Sequence, residues 1–428
     1  MKALLDNVDT RTERVFLVGV ELKSSPSWDV RDSMDELTEL VATAGGEVAG
    51  CGTQKLDKPN AATFIGPGKA EKFADFCREN EVDTVVFDDE LSPAQSRNLE
   101  KKFALKILDR TSLILDIFGQ RARTREGKLQ VELAQLTHLL PRLTRYWTHL
   151  SRQKGGIGMR GGEGESQLEV DRRKVRERID KIQSELVTVL RQRNTRRAGR
   201  KRSHWPLGSL VGYTNAGKST LFNGITGAAA LVEDKLFATL DPTTRRLRLR
   251  TNQNVLLSDT VGFIRKLPHD LVDAFKATLE EVVEADLLLH VVDISVPHAE
   301  EQIRAVNQVL AEIGVEDKST LMVFNKIDRL TSEGAVARFS GQYPNSVFLS
   351  AKTGEGFGAF MDELGKQLRP ARDLLDLVIP QDRTEVVARL HEIGQVLHLD
   401  YQGASTRMKV LIPPHQRNQF EGFIDGVS

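Results

Sequence analysis

At 428 residues the chain is longer than one hydrophobic core usually organises, which points to two to four domains. Apolar residues at 40% and charged residues at 28% are the proportions of an ordinary globular protein. Two cysteines, Cys51 and Cys77, exclude a disulfide scaffold and fit no metal-ligand spacing, and no apolar run approaches the ~20 residues that span a bilayer. The first 14 residues mix charges and lack a signal peptide's apolar core, so a cytoplasmic protein without a membrane span is expected. Overall charge balances at 60 basic against 60 acidic residues, yet residues 121–202 hold 22 Lys plus Arg against 9 Asp plus Glu, a net of +13. Such segregation fits a basic module for a polyanion such as nucleic acid, or a solvated pair of charged helices.

Residues 1–120 read as a small α/β unit, with strands at 15–20, 47–51, 84–88 and 106–108 and helices at 34–44, 69–79 and 92–103. Ser92-Pro93 is a helix start, an N-cap followed by proline at the first helical position. Asp88-Asp89 reads as a solvated strand end rather than a metal site. From 121 the pattern turns helical. Leu129, Leu133, Leu136, Leu140, Leu143, Trp147 and Leu150 step by fours and threes, and Leu168, Val175, Ile179, Ile182, Leu186 and Val189 make a second stripe. Between them, residues 154–164 carry six glycines in the last ten positions, the composition of a flexible basic tip. A basic linker is expected at 191–202. Beyond 373 the sequence offers a strand (375–379), a helix (384–392) and two strands (395–401 and 407–412).

Chemistry concentrates in 207–352. The apolar strand 207–211 runs into Gly212-Tyr213-Thr214-Asn215-Ala216-Gly217-Lys218-Ser219, an ungapped G-x-x-x-x-G-K-[ST] followed by a helix. Glycines there let backbone N–H groups curl around phosphate oxygens, and the helix N-terminus adds positive potential. Lys218 reaches the β- and γ-phosphates and the Ser219 hydroxyl ligates Mg²⁺ in such a loop. The strand 255–258 ends at Asp259-Thr260-Val261-Gly262, where the Asp supports the cation and a side-chain-free Gly can approach the γ-phosphate. The strand 321–324 ends at Asn325-Lys326-Ile327-Asp328, whose carboxylate can accept from guanine N1–H and N2–H₂ but is left unpaired by adenine. Strand 347–349 delivers Ser350-Ala351-Lys352, whose backbone amide can meet guanine O6. All four motifs follow apolar strands and so land on one edge of a parallel sheet, where such folds bind ligands.

Between the first two motifs lies Phe237-Ala238-Thr239-Leu240-Asp241, and Thr239 is the preferred switch threonine, with Thr243 and Thr244 as rivals. Lys218, Thr239 and Gly262 are therefore the residues assigned to catalysis of GTP hydrolysis to GDP, and Ser219 and Thr239 to Mg²⁺. Phe263 stands where many GTPases carry a water-positioning Gln, so intrinsic hydrolysis should be slow. Asn215 can help hold a monovalent cation such as K⁺ beside the leaving group, or simply stabilise the loop. The fold class expected is α/β: a P-loop GTPase domain (203–372) with an N-terminal α/β subdomain (1–120), a long antiparallel helical hairpin (121–202) and a small C-terminal α/β domain (373–428).

In these residues the chain resembles the HflX family of ribosome-associated GTPases, most specifically in Trp147-Thr148-His149-Leu150, the tip 153–160, the phosphate loop 212–219, and segments 237–241 and 259–268. The resemblance covers nearly the whole chain. It implies binding to the large ribosomal subunit and its rRNA near the peptidyl-transferase centre, with the GTP form splitting or rescuing stalled ribosomes under stress. It also implies nucleotide contacts at 212–219, 237–241, 259–262, 325–328 and 350–352, with Mg²⁺ at Ser219 and Thr239. A monomer is expected in the free state. Where relatives show a proline and a threonine, this chain has Gly162-Glu163-Gly164-Glu165-Ser166. Two other readings are an RNA-binding module with a regulatory nucleotide and a tRNA-modification GTPase. The second wants a reactive cysteine or cofactor site, and the sequence offers neither.

Overall fold

Four runs of β-branched and apolar residues open the chain as β1 (Arg14–Leu22), β2 (Glu47–Leu56), β3 (Thr84–Phe87) and β4 (Lys106–Asp109). Helices α1 (Val30–Ala44), α2 (Pro67–Glu79) and α3 (Pro93–Phe103) carry the chain back between them, so the strands pair in parallel in the order β2-β1-β3-β4. Phe16, Val18, Phe73, Val85, Phe87 and Leu99 form the core on one face. Ser92 and Gln95 close a capping box at the start of α3, with Pro93 in its first turn. The computed structural model describes residues 12–22, 30–143, 167–201, 205–227, 236–249, 253–266, 279–330, 334–368, 373–412 and 414–425. Trp147, Leu150 and the glycine-rich tip 154–164 lie outside them.

The chain divides into two compact units: residues 1–191 with 234–240 and 266–275, and residues 192–233, 241–265 and 276–428. Within the first, Asp88 and Asp89 correct the expectation of a solvated strand end. Asp88 is 3% exposed and accepts from Ser33 Oγ (2.6 Å), Arg110 Nη1 (2.7 Å) and Lys266 Nζ (2.6 Å). Burial would raise its pKa, but Arg110 and Lys266 outweigh burial and hold it below the ordinary value. Asp89 also pairs with Lys266. After β4 comes α4 (Arg110–Arg121), capped by Asp109, which accepts from Ser112 N–H at 2.9 Å.

The first apolar stripe predicts a helix running to 150, but α5 (Arg125–Leu139) gives way to a 3₁₀ turn at Leu140–Arg142. Pro141 is the reason: it lacks an N–H and its ring crowds the preceding turn. α6 (Gln167–Lys201) is 35 residues long and absorbs most of the expected linker, because Arg, Gln and Ala are good helix formers. On it, Ile182 is buried and Val175, Ile179, Leu186 and Val189 are half-buried, the predicted stripe. Arg178 joins α6 to α5 by a bidentate pair with Glu132 at 2.7 and 2.8 Å.

In the second unit β5 (Leu207–Gly212), β6 (Thr243–Arg248), β7 (Asn254–Asp259), β8 (Leu287–Asp293), β9 (Thr320–Asn325) and β10 (Ser346–Phe348) form one sheet, ordered β10-β9-β8-β5-β7-β6. Only edge strand β6 runs antiparallel to its neighbour. Helices α7 (Lys218–Thr226), α8 (Ala299–Glu312), α9 (Gly334–Gln342) and α10 (Phe357–Gln367) accompany it. Leu210, Phe222, Leu257, Leu289, Val323 and Phe360 fill one face, and Val292, Ile303, Phe324 and Phe339 the other. Beyond it, β11 (Asp373–Pro380), α11 (Thr384–Ile393), β12 (Gln395–Gln402) and β13 (Ser405–Ile412) make an antiparallel sheet ordered β11-β13-β12 around Leu377, Leu390 and Met408. No helix among the described residues is long and apolar enough to cross a membrane.

Candidate nucleotide site

The loop between β5 and α7 can form only with glycine at its two ends. Gly212 has φ +149°, and a Cβ there would lie 2.2 Å from the Val291 carbonyl oxygen. Gly217 has φ +92°, and a Cβ there would lie 2.2 Å from Asn325 Nδ2. Asn215 is exposed at φ +57°, a conformation asparagine tolerates better than most residues. Lys218 begins α7 and turns back over the loop, its Nζ donating to Gly212 O (3.0 Å) and Tyr213 O (2.8 Å). An ammonium has three donors, so one remains for a ligand. At 6% exposure its pKa is pushed down to about 8 by burial, against the opposing pull of Asp259. Ser219 Oγ donates to Asp259 Oδ2 at 2.7 Å, which brings together the hydroxyl and carboxylate that hard cations favour.

The segment after β7 is fastened to this loop. Thr260 Oγ1 donates to Leu210 O at 2.6 Å. Phe263 N–H donates to Gly212 O (3.1 Å), and Phe263 O accepts from Thr214 N–H (2.7 Å). Gly262 sits beside them: a Cβ there would be 3.0 Å from Lys218 Nζ, Thr214 Cα and Thr214 Cγ2 alike. The Phe263 ring is 2% exposed and belongs to the core. Arg265 N–H donates to the Tyr213 hydroxyl at 2.9 Å.

Asn325 ends β9 with its amide spent twice. Nδ2 donates to Ala216 O (2.9 Å) and Oδ1 accepts from Ala351 N–H (2.9 Å). One side chain thus ties the phosphate loop to the Ser350-Ala351-Lys352 turn. Lys326, at φ +65°, pairs with Asp293 at 2.7 Å, and Asp328 stands exposed in the 3₁₀ turn Ile327–Arg329. Ser350 is buried, its Oγ accepting from Thr353 N–H at 3.2 Å, and Lys352 is exposed.

Predicted site residues 212–219, 259–262, 325–328 and 350–352 therefore converge on the strand ends of one sheet. Residues 237–240 are assigned to the other unit and Asp241 to this one. Phe237 is buried at φ +54°, its ring centroid 4.6 Å from that of Phe118 in an edge-to-face arrangement; Thr239 is half-buried in an irregular segment. Rivals Thr243 and Thr244 are locked into β6 opposite Asp259 and Ser258. His290 of β8, which no motif marks, lies between Val211 and Met322 in the ladder. Burial first and Lys218 next push its pKa down to about 3, so the imidazole is neutral. A histidine inside an apolar strand was the available signal.

A family model described as GTP-binding GTPase N-terminal matches residues 31–119, one described as GTP-binding GTPase Middle Region matches 121–200, and one described as 50S ribosome-binding GTPase matches 208–326. A curated relative from Magnetococcus marinus, named GTPase HflX, is 47% identical over 92% of this chain and 90% of its own length. The GTPase HflX of Escherichia coli is 48% identical over 92% of this chain and 91% of its own. Among solved structures, one described as a complex of SsGBP and GDP is 26% identical, covers 83% of this chain and 98% of that one, and gives a TM-score of 0.47.

Proposed function

From the premise that this chain belongs to the HflX family of GTPases, we propose that it is a guanine-nucleotide switch on the large ribosomal subunit, splitting or rescuing stalled ribosomes in its GTP form. The observation that supports this reading is the pair of hydrogen bonds by which the Asn325 amide ties the loop at Ala216 to the turn at Ala351. In this reading the loop 212–219 wraps the phosphates through those of its amides that are not bonded within the protein, Lys218 spends its third donor on the β- and γ-phosphates, and Gly262 N–H senses the γ-phosphate. Asp328 accepts from the guanine edge and the turn 350–352 meets O6. Ser219 and Thr239 are the side chains assigned to Mg²⁺, and Ser219 already lies against the Asp259 carboxylate. Mg²⁺ takes few protein ligands and completes its shell from phosphates and water. When bound it supplies positive charge against the leaving phosphate oxygens. Asn215 is assigned to K⁺, so turnover in K⁺ should exceed that in Na⁺ at matched ionic strength.

The four-part division at 120, 202 and 372 completes the reading, with α5 and α6 as the stem of an antiparallel hairpin whose basic surface meets rRNA phosphates. Free protein is a monomer. Purified large subunits should accelerate GTP turnover well above the basal rate, whereas small subunits should not. Equal turnover with and without large subunits would remove the ribosome from the account.

A further inference from the structure

We propose that the open edge of β6 is an RNA-binding surface of the nucleotide-binding unit, its arginines gripping backbone phosphates. The inference rests on the ribosome reading above and names a contact for it away from the hairpin. From Pro242 to Ser258 the sequence carries Arg245, Arg246, Arg248 and Arg250 and no acidic residue, in a protein whose overall charge is zero. β6 closes one end of the sheet and pairs only with β7 among the described residues, so alternate backbone N–H and C=O groups on its far side face no strand.

Alternation sorts the side chains. Leu247 and Leu249 are buried in the core, whereas Arg245, Arg246 and Arg248 are exposed. Three cations within four residues repel one another, a cost that an anion bound across them removes. Arg246 lays its guanidinium over the Trp205 ring, 5.5 Å from the centroid, and Trp205 is itself 36% exposed. Stacking restrains the guanidinium without using any of its N–H donors, so the fork stays available. Among the described residues no ion pair engages Arg245 or Arg246.

Arg246 and Arg248 stand ~7 Å apart along the strand, close to the step between neighbouring phosphates of a nucleic-acid chain. A phosphate fits the guanidinium fork bidentately. A phosphate backbone also repeats its charge along a line, as the edge strand does, which favours nucleic acid over an acidic patch on a folded protein. Charged edges keep sheets from pairing with one another, so protection against self-association is the competing account.

The test is co-sedimentation of the full-length protein, with a non-hydrolysable GTP analogue, against purified large subunits and against protein-free large-subunit RNA across a salt titration. Arg245→Gln, Arg246→Gln and Arg248→Gln combined should weaken both interactions about tenfold or more and lower the slope of log affinity against log salt by ~2–3. Arg246→Gln alone should lower it by ~0.7–0.9, which keeps the test readable if the triple variant folds poorly. Lysine at the same three positions should retain most of the slope, and nucleotide affinity should not change in any variant. Parent affinity and slope in the triple Gln variant overturn the proposal. So does a gain of dimer in sedimentation velocity with RNA binding intact, which marks edge protection. Loss of subunit binding with RNA binding kept moves the contact to a ribosomal protein and overturns the RNA assignment. The ribosome reading fails separately: a parent that pellets with the RNA but not with subunits removes the ribosome and leaves the surface, whereas one that binds neither removes both.

Discussion

Replacing Asn325 by alanine removes the side chain on which the site's two halves depend. Asn325 is 1% exposed, and both of its hydrogen bonds, to Ala216 O and from Ala351 N–H, measure 2.9 Å. Truncation leaves two backbone groups without partners. Ala216 is buried at 1% exposure, so its carbonyl bears most of the penalty for an unsatisfied buried group, about 1–3 kcal/mol. Ala351 is half-buried, so water can reach its N–H and the loss there is about 0–1 kcal/mol. A small void adds to both, for a total of about 2–4 kcal/mol. A unit of this size loses about 2–4 °C of Tm per kcal/mol, so the transition of the nucleotide-binding unit should fall by about 4–16 °C. Differential scanning calorimetry on the nucleotide-free protein reads this directly, and guanine-nucleotide affinity should fall with it because the two loops lose their common tie. A Tm within 2 °C of the parent would refute the reasoning, since it would mean that neither loop depends on Asn325.

Base choice should respond to Asp328→Asn, which exchanges an acceptor for a donor: GTP affinity drops and xanthosine triphosphate affinity rises. Unaltered GTP affinity would take Asp328 out of the site. Lys218 predicts a pH effect with a definite sign. Its pKa is pushed from 10.5 to about 8 in the fold, so the penalty for keeping it charged is complete below pH 8 and gone above 10.5. For this group, stability therefore rises with pH across that window. A phosphate beside the ammonium restores the charge, so nucleotide binding at pH 9 should take up a proton and weaken as pH rises; calorimetry in two buffers of different ionisation enthalpy measures the uptake. Replacing Lys154 and Arg160 together by alanine should weaken binding to large subunits and flatten its salt dependence while sparing nucleotide binding. Wild-type affinity across a salt titration would show those charges to be idle.

The convergence of the four motifs at one sheet edge was legible because each follows an apolar strand, and motif and strand together dictate where the residues land. What stayed hidden were long-range bonds that no spacing encodes. Asn325 reads in sequence as a base-contacting residue, yet its amide is spent on loops 109 residues upstream and 26 downstream. Phe263 reads as a missing glutamine, whereas its backbone is what binds the 259–262 segment to the phosphate loop. Asp88 passed for a solvated strand end because its partners, Ser33, Arg110 and Lys266, lie 55, 22 and 178 residues away. α5 shows a different failure: apolar spacing continues through Pro141, and the local backbone chemistry of proline overrides it. α6 reaches to Lys201, through the expected basic linker, because the arginines that signal charge are also good helix formers.

The central claim is that nucleotide state controls engagement with the large ribosomal subunit, and co-sedimentation of the full-length protein with purified large subunits tests it most directly. With a non-hydrolysable GTP analogue the protein should pellet with the subunits, and with GDP most of it should remain in the supernatant. Equal pelleting in both states would contradict the switch, leaving a protein that binds ribosomes without reading its nucleotide.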